Sequence, residues 1–267
     1  MIVAYCSDLH IERGAIDLKN EGKAEVLILA GDIFVANDLM EQSNNTDMIS
    51  YKSSRIYDFI ENCCEEFPNV IMVCGNHESY DFDIKDTVSH IKKHLGHHKN
   101  FHLLDNIVIE LGGTLFVGGT LWTDMNCEDL ETIDTIRKMM NDFRVIKNDN
   151  YRFTPADAVT KFKETTDYID LMATIHDDKE IVVVTHHSPS FGSIDPIYEN
   201  QTILNGGYCS NLEKFIIDRK NITYWVHGHL HCLNDYMVGT CNVLSNPRGY
   251  INYEACADNF KLRYFEV

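Results

Sequence analysis

The stretch Ile2-Val3-Ala4-Tyr5-Cys6-Ser7-Asp8-Leu9-His10 opens the chain with a short apolar run that ends in an acid and an imidazole. A run of this length closed by polar residues reads as a buried strand. The same arrangement recurs four times. Val26–Ala30 runs into Gly31-Asp32, and residues 70–74 run into Gly75-Asn76-His77-Glu78. Ile181–Thr185 runs into His186-His187, and residues 224–226 run into His227-Gly228-His229-Leu230-His231. Further short apolar runs lie at Ile107–Leu111, 115–117 and 243–244. Between them, residues 50–65 place Ile56, Phe59, Ile60 and Cys63 on one helical face, and Ile84–Leu95 does the same with Ile84, Val88, Ile91 and Leu95. Thr154-Pro155-Ala156-Asp157 reads as an N-cap with Pro at the first helical position, starting a helix towards Ile175. Strands alternating with helices predict an α/β fold.

Residues 121–153 are polar and irregular, with a helical stretch near 130–140. They read either as a lid or cap over a site or as a surface insertion. No linker rich in Pro, Gly or Ser divides the 267 residues, so one domain over 1–267 is expected. Lys92-Lys93-His94 and His97-His98-Lys99 form a small basic cluster at a helix end, read as compensation of the helix dipole.

Lys and Arg number 23 and Asp and Glu 41, a net charge of −18. That excess of acid argues against a grip on long nucleic acid or on an anionic membrane. Nine cysteines are scattered with no C-x-x-C pair, so neither a zinc ribbon nor a thioredoxin-like motif is present. The N-terminus lacks the basic region of a signal peptide, and no apolar stretch approaches the roughly 18 residues of a membrane span. The expectation is a soluble, cytoplasmic protein with free thiols.

Taken singly, each polar cluster is weak: Asp-x-His is a common tripeptide, and Gly-Asp is a common turn. Together they place two carboxylates (Asp8, Asp32), four imidazoles (His10, His186, His229, His231) and one amide (Asn76) after five strands. Ligands bind at the carboxyl ends of strands in α/β sheets. One metal takes three or four protein ligands, so these seven suit two cations of the Mn, Fe or Zn type.

Asp8-Leu9-His10, Gly31-Asp32, Gly75-Asn76-His77-Glu78, His186 and Gly228-His229-Leu230-His231 resemble, in order, the five motifs of the calcineurin-like metallophosphoesterase superfamily. Leu121-Trp122-Thr123-Asp124, Asn141-Asp142-Phe143-Arg144 and Asn246-Pro247-Arg248-Gly249-Tyr250 resemble a bacterial and phage-type subgroup of it. The resemblance implies an α/β/β/α sandwich of two mixed sheets flanked by helices, with a dinuclear metal site at the strand ends. It implies that Asp8, His10, Asp32 and His231 hold a first metal and that Asp32, Asn76, His186 and His229 hold a second. Asp32 would then bridge the pair, which a carboxylate can do and an imidazole cannot. His77 would lie beside the substrate phosphate rather than on a metal.

The motif position favours His186 over His187 as ligand. His227 is expected to pack or hydrogen-bond behind the ligands. Glu78 reads as orienting His10 or a water, or as a helix-start charge. Arg144 and Arg248 are candidates for extra phosphate contacts, or for ion pairs with the abundant acids.

The function this implies is metal-assisted hydrolysis of a phosphate ester. A hydroxide shared by the two cations would attack phosphorus in line, and His77 would stabilise the charge or protonate the leaving oxygen. The net acidity points to a small or cyclic nucleotide-like phosphodiester. A phosphomonoesterase or protein phosphatase is the alternative. The arginine-bearing signatures of protein phosphatases are missing, since Asp32 is followed by Ile33-Phe34-Val35 and Glu78 by Ser79-Tyr80. A non-catalytic scaffold is a third reading, disfavoured because every ligand position is filled. A DNA nuclease is disfavoured by the missing basic groove. Expected partners are a small phosphoester, with no long nucleic acid and no membrane; the oligomeric state stays open.

Overall fold

Each apolar run that ends in an acid, amide or imidazole is a strand in the computed structural model, which describes residues 1–40 and 48–267. In chain order the strands are β1 (Ile2–Cys6), β2 (Val26–Ala30), β3 (Asn69–Val73), β4 (Phe101–Leu104), β5 (Ile107–Leu111), β6 (Thr114–Gly119), β7 (Lys147–Asn148), β8 (Tyr151–Arg152), β9 (Ile181–Thr185), β10 (Ile222–His227), β11 (Asn234–Val238), β12 (Cys241–Ser245) and β13 (Arg263–Glu266). One sheet runs β13-β1-β2-β3-β4 and the other β11-β12-β10-β9-β6-β5; β7 and β8 form a small hairpin. β1 through β4 pair in parallel, as do β12, β10, β9 and β6. The outer partners β13, β11 and β5 are antiparallel, so both sheets are mixed.

The central strands are apolar on both faces because both faces are covered. Val3, Tyr5, Val26, Ile28, Ile71 and Val73 pack against Phe116, Val182, Val184, Val226 and Leu244 of the second sheet. Side chains alternate along a strand. Ala4, Leu27, Leu29 and Met72 therefore face outward, onto Ile56, Phe59 and Ile60 of helix Met48–Glu66 and Ile91 and Leu95 of helix Ile84–Leu95. On the far side, Val183, Trp225 and Val243 meet Phe162, Ile169 and Met172 of helix Pro155–Ile175. The layers are helix, sheet, sheet, helix, the predicted α/β/β/α sandwich.

Thr154 caps the long helix as read from sequence. Its hydroxyl accepts from the Asp157 N–H and the Asp157 carboxylate accepts from the Thr154 N–H, a reciprocal capping box. Residues 121–153 build a small core of their own: Trp122, Ile136, Phe143 and Phe153 pack with Val159 of the long helix. Before helix Leu130–Met139 the backbone is left-handed at four successive residues, Met125 to Glu128, with φ between 53° and 62°. β4, β11 and β13 lack the continuous apolar pattern of the inner strands, and sequence reading passed over them. β11 and β13 lie at sheet edges with alternating or mostly exposed residues. Among the described residues no helix is long and apolar enough to cross a membrane.

Candidate metal centre

The seven expected ligands meet at the carboxyl ends of β1, β2, β3, β9 and β10, where the two sheets abut. Asp8, His10 and His231 offer atoms within 4.8 Å of one another, and so do Asp32, His186 and His229. Two glycines make the approach feasible. Gly31 sits at φ +83°, and a Cβ there would lie 2.4 Å from His186 Nδ1. A Cβ on Gly228 would lie 2.6 Å from Asp8 Oδ2. The loops themselves are strained. Asp8, His10, Asp32, His229 and His231 all have positive φ, between 45° and 70°, a conformation that costs a non-glycine residue about 1–3 kcal/mol and clusters at functional sites.

The hydrogen bonds behind the ring nitrogens set the tautomers. His186 Nδ1 donates to the Ala30 carbonyl (2.9 Å), His231 Nδ1 to the Glu254 carboxylate (2.7 Å) and His10 Nδ1 to Glu12 (3.3 Å). Each ring then turns a bare Nε2 lone pair inward. His10 Nε2 faces His231 Nε2 at 3.2 Å, and the latter lies 3.3 Å from Asp8 Oδ1. His186 Nε2 lies 3.0 Å from Asn76 Oδ1, 3.3 Å from Asp32 Oδ1 and 3.2 Å from His229 Nδ1. Acceptors pointing at acceptors repel unless a cation lies between them, so the donor set fits metal. Asp32 turns Oδ1 to the His186 group and Oδ2 to His10, 4.0 Å away. Burial pushes its carboxyl up, but the His186, His77 and His10 imidazoles outweigh this and hold it well below the usual range.

His77 stands beside both groups without joining them. Its Nε2 is 3.8 Å from Asp32 Oδ2 and 3.3 Å from the Tyr250 hydroxyl, and its ring stacks on Tyr80 with centroids 4.2 Å apart. Burial pulls its pKa down, and the Asp32 and Glu12 carboxylates more than offset this, leaving it above the ordinary imidazole value.

The structure sorts the open readings. His186 faces the donors, while His187 turns its Nδ1 to the Thr120 carbonyl and packs between Trp122 and His229. Burial pushes the His187 pKa down to about 3. His227 is buried behind the ligands, its Nε2 2.9 Å from the Ser193 hydroxyl. Glu78 sits in the first turn of the short helix His77–Ser79 and makes no bond to His10. Its carboxylate accepts from the backbone N–H groups of Asp32, Ile33, Phe34 and Gly75, at 2.6 to 3.2 Å, and so ties the β2 and β3 ligand loops together.

The two arginines are not brought to the site. Arg248 is buried and donates to the carbonyls of Leu9, Gly14 and Ala15. Arg144 donates to the carbonyls of Lys138 and Met139. Both guanidiniums thus brace backbone carbonyls, and neither pairs with an acid among the described residues.

A cleft of about 340 Å³ opens over Asp32, Asn76, His77, His229 and His231. Its walls are Tyr80, Tyr208 and Tyr250, with Met139, Met140 and Asp142 from the 121–153 segment and Glu254 near the C-terminus. That segment is thus a packed wall of the cleft. No Lys or Arg is among the described residues that line it. Sequence reading missed Glu12, Asp142 and Glu254 as residues of the site. Glu12 is held down to about 2: burial pushes it up, and its bonds to His10 and His77 outweigh that. Its position two residues after His10 was the one available signal; Glu254 offers none.

The family model for calcineurin-like phosphoesterases matches residues 1–233. An uncharacterized protein, L509, of Acanthamoeba polyphaga mimivirus is 28% identical over 265 residues, covering 93% of this chain and 91% of its own length. Among solved structures, the phosphopantetheinyl hydrolase of Mycobacterium tuberculosis superposes with a TM-score of 0.64 at 15% identity, over 98% of this chain and 95% of that one. A dimetal phosphatase from Danio rerio gives a TM-score of 0.54 at 13% identity, over 95% and 89%.

Proposed function

The chain belongs to the calcineurin-like phosphoesterase family, and on that premise we propose that it is a dinuclear metal-dependent phosphodiesterase acting on a small or nucleotide-like phosphodiester. The observation that carries the reading is two groups of inward-facing acceptors, Asp32 in one with its second oxygen 4.0 Å from His10 of the other, and His77 beside them, under a cleft without Lys or Arg among its described lining residues.

In this reading Asp8, His10 and His231 would hold one cation and Asn76, His186 and His229 the other, with Asp32 within reach of both sets. When bound, the cations would lower the pKa of a water and offset charge on the phosphate oxygens. His77 donates its Nε2 proton to the leaving oxygen as the P–O bond breaks. Tyr80 stacking and the Tyr250 hydroxyl hold the ring against the cleft floor. The diester preference rests on charge. Asp142 and Glu254 line the cleft with no Lys or Arg among its described lining residues, so a monoanionic diester meets less repulsion than a dianionic monoester. The tyrosines and methionines of the wall suit an aromatic or apolar ester group.

The test is hydrolysis of bis-p-nitrophenyl phosphate and p-nitrophenyl phosphate by metal-stripped protein with Mn²⁺ restored. Faster Mn²⁺-dependent turnover of the diester is expected. Faster turnover of the monoester overturns the diester assignment, and no Mn²⁺ dependence with either overturns the metal chemistry.

A further inference from the structure

We propose that Asp142 is a positioning residue that decides which end of the Asn76 carboxamide faces the metal centre. The inference rests on the dinuclear reading above. A carboxamide is nearly the same shape at both ends, so Asn76 can present either its oxygen or its NH₂ to the site. Inside the site its neighbour at 3.0 Å is His186 Nε2, an acceptor because the ring's proton sits on Nδ1 against the Ala30 carbonyl. Left to it, the amide would turn its NH₂ inward and donate, and the oxygen that a cation needs would point away. The structure shows the opposite orientation. Asn76 Nδ2 donates outward to Asp142 Oδ1 at 2.7 Å, with the Tyr80 hydroxyl at 3.2 Å, and Oδ1 faces the site.

Asp142 reaches this position from the start of helix Asp142–Val145, anchored by its neighbour Phe143 in the small core of the 121–153 segment. It is 1% exposed. A buried carboxyl group is costly unless hydrogen-bonded. Its Oδ1, fixed outside the ligand shell, takes the Asn76 NH₂ and leaves the amide oxygen to the second cation.

The experiment is a titration of metal-stripped protein with Mn²⁺, reading equivalents bound and the affinity of each. Wild type is expected to bind two. Asp142→Leu is expected to bind the first unchanged and the second about 10–100-fold more weakly, the size typical for loss of a residue that orients a ligand. Because a buried leucine there could prevent folding, an exchange of the pair is measured beside it. Asn76→Asp alone sets two carboxylates face to face and weakens the second equivalent. Asn76→Asp combined with Asp142→Asn restores a donor outside and an oxygen inside, and recovers about 10-fold of that loss, which a purely structural role for Asp142 would not produce. Wild-type binding of the second equivalent in Asp142→Leu, or an exchange no better than Asn76→Asp alone, overturns this inference while the two-metal reading stands. A wild type that takes up one equivalent overturns both.

Discussion

The two halves of the proposed metal centre are built from similar donors but backed differently. On the side of Asp8, the imidazoles of His10 and His231 each lean on a carboxylate, Glu12 and Glu254. On the side of His186, the imidazole leans on the neutral Ala30 carbonyl, and His229 Nε2 is buried with no partner. The two sides are alike in burial, each with two buried donors and one half-buried imidazole, His231 on the first and His229 on the second. A carboxylate behind an imidazole makes it a stronger donor than a carbonyl does. The first side therefore relies on charge and is adjustable by mutation; the second relies on backbone geometry.

Variants can break or sharpen this contrast. The largest effect is expected from Asp32→Ala, which removes the one ligand common to both sides. Turnover should fall to background and both cations should be lost, as read by metal content per chain; retention of either cation would show that the halves are independent. Next comes His77→Ala, which removes no proposed ligand from either half. Turnover should drop about 10²–10⁴-fold with both cations kept, and a loss of metal would place His77 among the ligands. Glu254→Gln should weaken the first Mn²⁺ about 10–100-fold and leave the second unchanged in the same titration; equal weakening of both would erase the contrast. The smallest effect is expected from Arg144→Ala. Its guanidinium holds only backbone carbonyls, so KM for the diester reporter should stay within about twofold, a change worth under about 0.5 kcal/mol.

The ligands were legible in the sequence because each follows a strand that is apolar on both faces, and such strands stand out as unbroken runs. Asp8, Asp32, Asn76, His186, His229 and His231 are all found where that pattern puts them. What supports them was not legible. Glu254 meets His231 across 23 residues and Asp142 meets Asn76 across 66, pairings that only the assembled fold creates. Arg144 and Arg248 misled for the opposite reason. A guanidinium suited to phosphate is equally suited to stray carbonyls, and composition does not say which it will meet. The edge strands β11 and β13 escaped because half-exposed residues carry no continuous apolar signal.

The donors divide between the layers: Asp8, His10, Asp32 and Asn76 follow strands of the first sheet, and His186, His229 and His231 follow strands of the second. Ions held between them, as proposed, would act as rivets through the sandwich at one end of its seam. A ligand present at 100 times its dissociation constant adds about 2.7 kcal/mol to the folded state. The mechanical integrity of that end of the molecule would then follow the free cation concentration around it, and a chelator would act on the architecture as well as on the chemistry.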